Sequence, residues 1–94
     1  MKIIWTSLAL SDLDQAYNYI AASNPGAAAD TISRIEKAIA GLIQYPEMGR
    51  VGRVAGTREL IIPRIPFIVP YRVQSEQVEI LAVIHAARRW PESF

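Results

Sequence analysis

F-I-V-P-Y-R-V-Q-S-E-Q-V-E-I-L-A-V-I-H-A, residues 67–86, is the stretch on which the fold turns. Phe67, Val69, Tyr71 and Val73 stand at every second position, so in a strand they share one face. Gln74–Gln77 is a polar turn, and Val78–Ala86 resumes an apolar run. Two β-rich segments joined by so short a link form an antiparallel hairpin. The second is apolar on both faces, which places it inside a sheet. Pro70 has no amide hydrogen to give to a ladder, so the first segment requires a bulge or an unpaired stretch there. Arg72 points opposite to Tyr71, away from the core if Tyr71 lies in it.

Upstream, Thr57–Ile62 (T-R-E-L-I-I) is a further apolar segment, closed by Pro63-Arg64-Ile65-Pro66. With the hairpin it makes a three-stranded antiparallel meander. The stretch P-E-M-G-R-V-G-R-V-A-G, residues 46–56, reads as a loop because of its glycines. Before it lie two helical patterns. Leu13, Ala16, Tyr17, Ile20 and Ala21 form one face of a helix over residues 7–22, with Thr6, Ser7 and Ser11 as candidate N-caps. Ser11 with Asp14 is a capping-box variant, and Asp12 and Asp14 suit the positive end of a helix. Asn24-Pro25 is a cap followed by a residue preformed for the first helical turn. Ala28, Ile32, Ile35, Ile39, Leu42 and Ile43 then carry a second helix to about Tyr45, before Pro46. The short link makes the pair an antiparallel helical hairpin. Residues 2–6, K-I-I-W-T, favour an N-terminal strand. The fold class is α+β: strand, helical hairpin, then meander, in the order β-α-α-β-β-β.

The 94 residues, half of them apolar and a fifth charged, form one domain, residues 1–94, with a single modest core. The absence of cysteine excludes disulfides and thiolate chemistry, and a single histidine argues against an imidazole metal site. No metal or cofactor is expected. No stretch is apolar enough to span a membrane, and the apolar N-terminus is too short for a signal peptide, so the expected compartment is the cytoplasm. Net charge is +1, but residues 50–94 hold seven of the ten basic side chains and four of the nine acidic ones. That half is the natural face for an acidic partner.

Candidate chemistry is sparse. His85 is a candidate base, since histidine as a residue type serves acid–base chemistry near neutral pH, although a histidine at a strand end is more often structural. Glu79 falls on the same face of a regular strand, about 20 Å away; Glu59 is a conceivable carboxylate partner. Arg58, Arg72, Arg88 and Arg89 are candidates for gripping phosphate or carboxylate, or for internal pairing with Glu59 or Glu79. Arg50 and Arg53 are solvated loop charges or contacts to a partner. Trp90 either caps the core or stacks on a partner.

The segments G-T-R-E-L-I-I-P (56–63), F-I-V-P-Y-R-V (67–73) and V-E-I-L-A-V-I-H-A-A-R-R-W-P (78–91) resemble the RelE/ParE superfamily of bacterial toxins. S-D-L-D-Q-A-Y-N-Y-I (11–20), followed by Asn24-Pro25, fits the same pattern. The resemblance spans nearly the whole chain. It implies the toxin of a chromosomal or plasmid type II toxin–antitoxin system. A cognate DNA-binding antitoxin would wrap it, covering Leu13, Tyr17, Ile20, Ile35 and Ile39 on the helical hairpin and adding a strand at a sheet edge. RelE-like members cleave messenger RNA on the ribosome; ParE-like members poison DNA gyrase. Ile68 stands where nuclease members carry a cation, and the tail lacks a tyrosine. The resemblance therefore favours a non-enzymatic, gyrase-directed toxin that meets its target through Arg50, Arg53, Arg88, Arg89 and Trp90. The alternative is a metal-independent endoribonuclease with a site built from Arg58, Arg72, His85 and Arg88.

Overall fold

The computed structural model describes all 94 residues. Strand β1 (Lys2–Trp5) leads into α1 (Ser7–Ala21), α2 (Pro25–Ala40) and a 3-10 turn (Gly41–Ile43). The strands β2 (Arg50–Val51), β3 (Arg58–Ile61), β4 (Phe67–Gln74), β5 (Gln77–Ile80) and β6 (Ile84–His85) follow. The sheet order is β1-β5-β4-β3-β2, with β6 also paired to β4. β1 runs parallel to β5, and the other pairings are antiparallel. The expected order of elements and the interior position of β5 are both present. No helix is long and apolar enough to cross a membrane.

The helical hairpin covers one face of the sheet. Ile35, Ile39 and Leu42 meet Leu60, Phe67, Val69, Tyr71, Val78 and Ile80 in the core, with Ala9 and Ala16 giving α1 a close approach. Val73 shares their strand face but lies near the β4–β5 turn and stays 41% exposed. The N-cap of α1 is Thr6, not Ser11, which sits inside the helix. Thr6 Oγ1 accepts from the Ala9 amide and donates to the Ile80 carbonyl at 2.9 Å, so the cap also fastens α1 to the end of β5. Asn24 caps α2 through the Ala27 amide at 3.0 Å, with Pro25 in the first turn. α2 ends earlier than its apolar period suggests: at Gly41 the chain tightens into the 3-10 turn, which still buries Leu42.

The segment expected as one strand over 78–86 is two. Tyr71 faces Ile80, but Ile68 faces Ile84, so three residues on one side oppose two on the other. This is a β-bulge at Leu81–Val83. It lies beside Pro70, whose carbonyl accepts from the Leu81 amide at 3.0 Å. A strand residue directs its N and its carbonyl to the same side, so the donor that Pro70 lacks is missing where the bulge forms.

Candidate interaction surface

Two features shape the surface opposite and beside the core. The first is the loop before β2. Tyr71 is fully buried, and its hydroxyl donates to the Pro46 carbonyl and accepts from the Gly49 amide, both at 2.8 Å. Burial pushes its phenol above the ordinary value, against the lowering effect of the Gly49 bond. A Cβ on Gly49 would lie 2.6 Å from the Tyr71 ring and 2.9 Å from the Glu59 carbonyl, so only glycine lets the loop approach this closely. Arg58 holds the same loop from β3 by donating to the Gly49 carbonyl at 2.8 Å.

On the other face of β3 stands Glu59, whose side chain is 2% exposed. Its Oε1 accepts from Arg50 Nε and Nη2 at 3.0 and 2.8 Å and from Arg53 Nη2 at 3.2 Å. Its Oε2 accepts from the Arg53 amide at 2.8 Å and from Arg53 Nε at 3.1 Å. Burial alone would raise the carboxyl, but the bonds from Arg53 and Arg50 outweigh it and hold it below the ordinary carboxylate value. The Arg53 guanidinium carbon lies over the Trp90 ring, 3.8 Å from its centre.

The second feature is a trough between α1 and the end of the chain. Asp12, 9% exposed, reaches from α1 to accept the Val83 amide at 3.0 Å in the middle of the bulge. One cavity of about 550 Å³ is bounded by Asp12, Tyr19, Phe67, His85 and Arg88. A second of about 530 Å³ is bounded by Leu8, Asp12, Ile84, Arg88, Arg89 and Trp90. The His85 ring meets Phe67 edge-on at 5.4 Å, and its Nδ1 accepts from the Ala87 amide at 3.1 Å. With Nδ1 accepting, the ring presents its Nε2 side as the donor.

A sequence profile described as "ParE toxin of type II toxin-antitoxin system, parDE" matches residues 3–90. The chain belongs to the ParE toxin family. It is 47% identical over 91 residues to protein Y4kP of Sinorhizobium fredii, covering 97% of this chain and 94% of that one. It is 37% identical to Toxin RelE2 of Caulobacter vibrioides over 87 residues, 93% of this chain and 97% of the relative. Among solved structures it resembles a chain of the chromosomal ParDE system from P. aeruginosa, with TM-score 0.80 and 31% identity over 90% of this chain and 95% of that one. The YoeB-YefM complex from Staphylococcus aureus shares the fold alone, with TM-score 0.60 and 13% identity over 90% of this chain and 95% of that one. The protein is therefore the toxin component of a ParE/RelE-like type II system, a class of bacterial toxin paired with a cognate antitoxin.

In this ParE-family toxin the residues singled out in the sequence separate into distinct places. Arg58 and Tyr71 are register partners and share the helix-facing side of the sheet, whereas Arg72 is on the outer side. Arg72 pairs there with Glu79 across the strands at 2.7 Å. His85 is opposite Phe67 and so faces the helices, while Glu79 does not: the bulge reverses the side expected from a regular strand. Arg58, Arg72 and His85 thus do not converge. Arg88 and Arg89 are exposed and in no ion pair. Arg50 and Arg53 are held by Glu59 rather than being free loop charges. On the hairpin, Ile35 and Ile39 are buried in the core and offer no surface; Leu13 and Ile20 are half-buried, and Tyr17 is 40% exposed. From its position Asp12 suits the positive end of α1, while its place between Ala9 and Ala16 on the buried stripe is the signal for an inward role.

Proposed function

We propose that this toxin acts by binding rather than by catalysis, that its target is DNA gyrase, and that a cognate antitoxin neutralises it in the cytoplasm. The observation that carries this reading is that Arg58 and Arg72 are engaged away from the cavity that His85 and Arg88 share. Metal-free RNA cleavage needs a base at the 2′-hydroxyl and cations converging on the scissile phosphate. Here Arg58 is engaged with backbone carbonyls, and Arg72 with Glu79 on the opposite face. His85 accepts an amide hydrogen on the ring nitrogen that carries its free lone pair. What remains outward is a cationic and aromatic surface, Arg53, Arg88, Arg89 and Trp90, suited to contact with a larger partner.

The antitoxin, on this reading, lies along α1 over Leu13, Tyr17 and the neighbouring Leu10, which is 51% exposed. Its extended end adds a strand at the sheet edge formed by β2, where Val51 is 79% exposed. Ribosome-dependent mRNA cleavage is the alternative, and the name of the Caulobacter relative favours it. A supercoiling assay separates the two. Micromolar toxin is expected to halt gyrase, and the cognate antitoxin to restore it. Undisturbed supercoiling together with cleaved mRNA on toxin-treated ribosomes would overturn the proposal.

A further inference from the structure

The C-terminal segment, residues 86–94, follows the last strand and has no strand partner of its own. Its backbone is fastened at the start, where the Ala86 amide donates to the Pro66 carbonyl at 2.8 Å and the Arg88 amide to the His85 carbonyl at 2.9 Å. Beyond Arg88 no backbone hydrogen bond to the body of the protein holds it. Yet the Trp90 indole nitrogen is buried, without any acceptor. A buried, unpaired donor is unfavourable by itself, so something other than hydrogen bonding keeps the ring in place. One contact that does so is the Arg53 guanidinium, whose carbon lies over the ring at 3.8 Å.

Arg53 in turn is not a free side chain. A long arginine loses several rotors' freedom in order to present one flat face. That cost is met by Glu59, which accepts the Arg53 amide, Nε and Nη2. Glu59 sits in β3 opposite Pro70, a register position with little freedom to move. Arg50 shares the same carboxylate, but it is Arg53 that lies over the Trp90 ring.

We infer that Glu59 is a positioning residue for the C-terminal segment: through Arg53 it builds the platform on which Trp90 rests, and so couples the loop between β2 and β3 to the tail bearing Arg88 and Arg89. The two stretches are then one surface rather than two mobile ones. The coupling is a property of the purified chain and stands whatever the target is. Only its consequence, a preset cationic surface, rests on the function proposed above.

The test is site-resolved hydrogen exchange on the purified toxin, followed by NMR. The Trp90 indole proton is the reporter at one end and the Arg53 amide, bonded to Glu59, at the other. In Arg53→Ala and Glu59→Gln, Trp90 indole exchange is expected to rise about 3- to 10-fold, with amides of β4 and β5 unchanged. In Trp90→Ala the Arg53 amide should speed up in return, and Trp90→Phe, which keeps a ring face, should restore most of its protection. Arg50→Ala is the decisive control, since it removes a Glu59 partner without touching the stack. If Arg50→Ala loosens Trp90 as much as Arg53→Ala does, or if Arg53→Ala leaves the indole proton unchanged, the inference is overturned. Trp90→Ala lies in the tail and does not disturb the core, so its reciprocal effect on the Arg53 amide is readable even if Glu59→Gln fails to fold. A silent Arg53 amide there also overturns the coupling.

Discussion

Replacing Asp12 by alanine isolates one bond between the first helix and the bulge. The carboxylate accepts the Val83 amide at 3.0 Å, and Val83 is 3% exposed. Without it a buried amide has no partner, a loss of about 2 kcal/mol, within the usual range for a bond to a charged group. Alanine returns about 0.5 kcal/mol because it is the better helix former inside α1. The net loss is about 1.5 kcal/mol, or roughly 6–12 °C in Tm for a domain of this size. Asparagine keeps a carbonyl acceptor, so Asp12→Asn should lose about half as much. Urea unfolding reads both variants, with m unchanged, because the surface exposed on unfolding is the same. If Asp12→Ala falls within 0.5 kcal/mol of the parent, or if asparagine is as damaging as alanine, the Asp12–Val83 bond does not hold the bulge as argued.

Glu59 makes stability depend on pH. Its folded carboxyl lies below the ordinary value of 4.5, so its contribution is fully present at neutral pH and is lost as pH falls below 4.5 through the folded value. The difference in unfolding free energy between the parent and Glu59→Gln should be flat from pH 7 down to about 5 and shrink below that; a difference independent of pH contradicts the ion-pair account. The β4–β5 turn holds Ser75 and Glu76 at φ of 52° and 59°, where residues other than glycine and asparagine are strained. Ser75→Asn with Glu76→Gly should therefore stabilise by about 1 kcal/mol and raise Tm by roughly 4–8 °C; no rise in calorimetry would show that the turn carries no strain.

Local patterns that repeat were legible in the sequence. Alternation in 67–73 located β4 and its buried face, and Asn24-Pro25 located the start of α2. The apolar run Val78–Ala86, read as one strand, pointed inside the sheet, and β5 at its start is interior. What escaped depends on partners distant in the chain. Ile35 and Ile39 carry the periodicity of an amphipathic helix, but periodicity does not say whether that stripe meets the sheet or a second protein; here it meets the sheet. The fastening of Arg53 needs Glu59 from β3 and Trp90 from the tail together, a junction that no local spacing announces. Arg58 looked like a member of a cation cluster, yet it serves the backbone of the loop before β2.

The bulge shows how a single residue redirects the end of the chain. Side chains alternate along a strand, so one inserted residue moves every later side chain to the other face. Had the Tyr71–Ile80 register continued, Ile84 would oppose Phe67 and His85 would share the outer side with Glu79 and Arg72. Instead Phe67 opposes His85, and the ring turns into the trough beside α1. Two side chains outside the bulge favour this outcome. Pro70 withholds a donor from the regular ladder, and Asp12 supplies an acceptor for an amide that the ladder no longer uses. The register change thereby decides which groups can act together: it takes His85 out of reach of the outer carboxylate and sets it against Phe67, beside the start of the Arg88–Trp90 tail. A strand that reads as continuous in sequence is divided by its neighbour, and the reversal leaves His85 on the helix side of the sheet while Glu79 and Arg72 pair on the other.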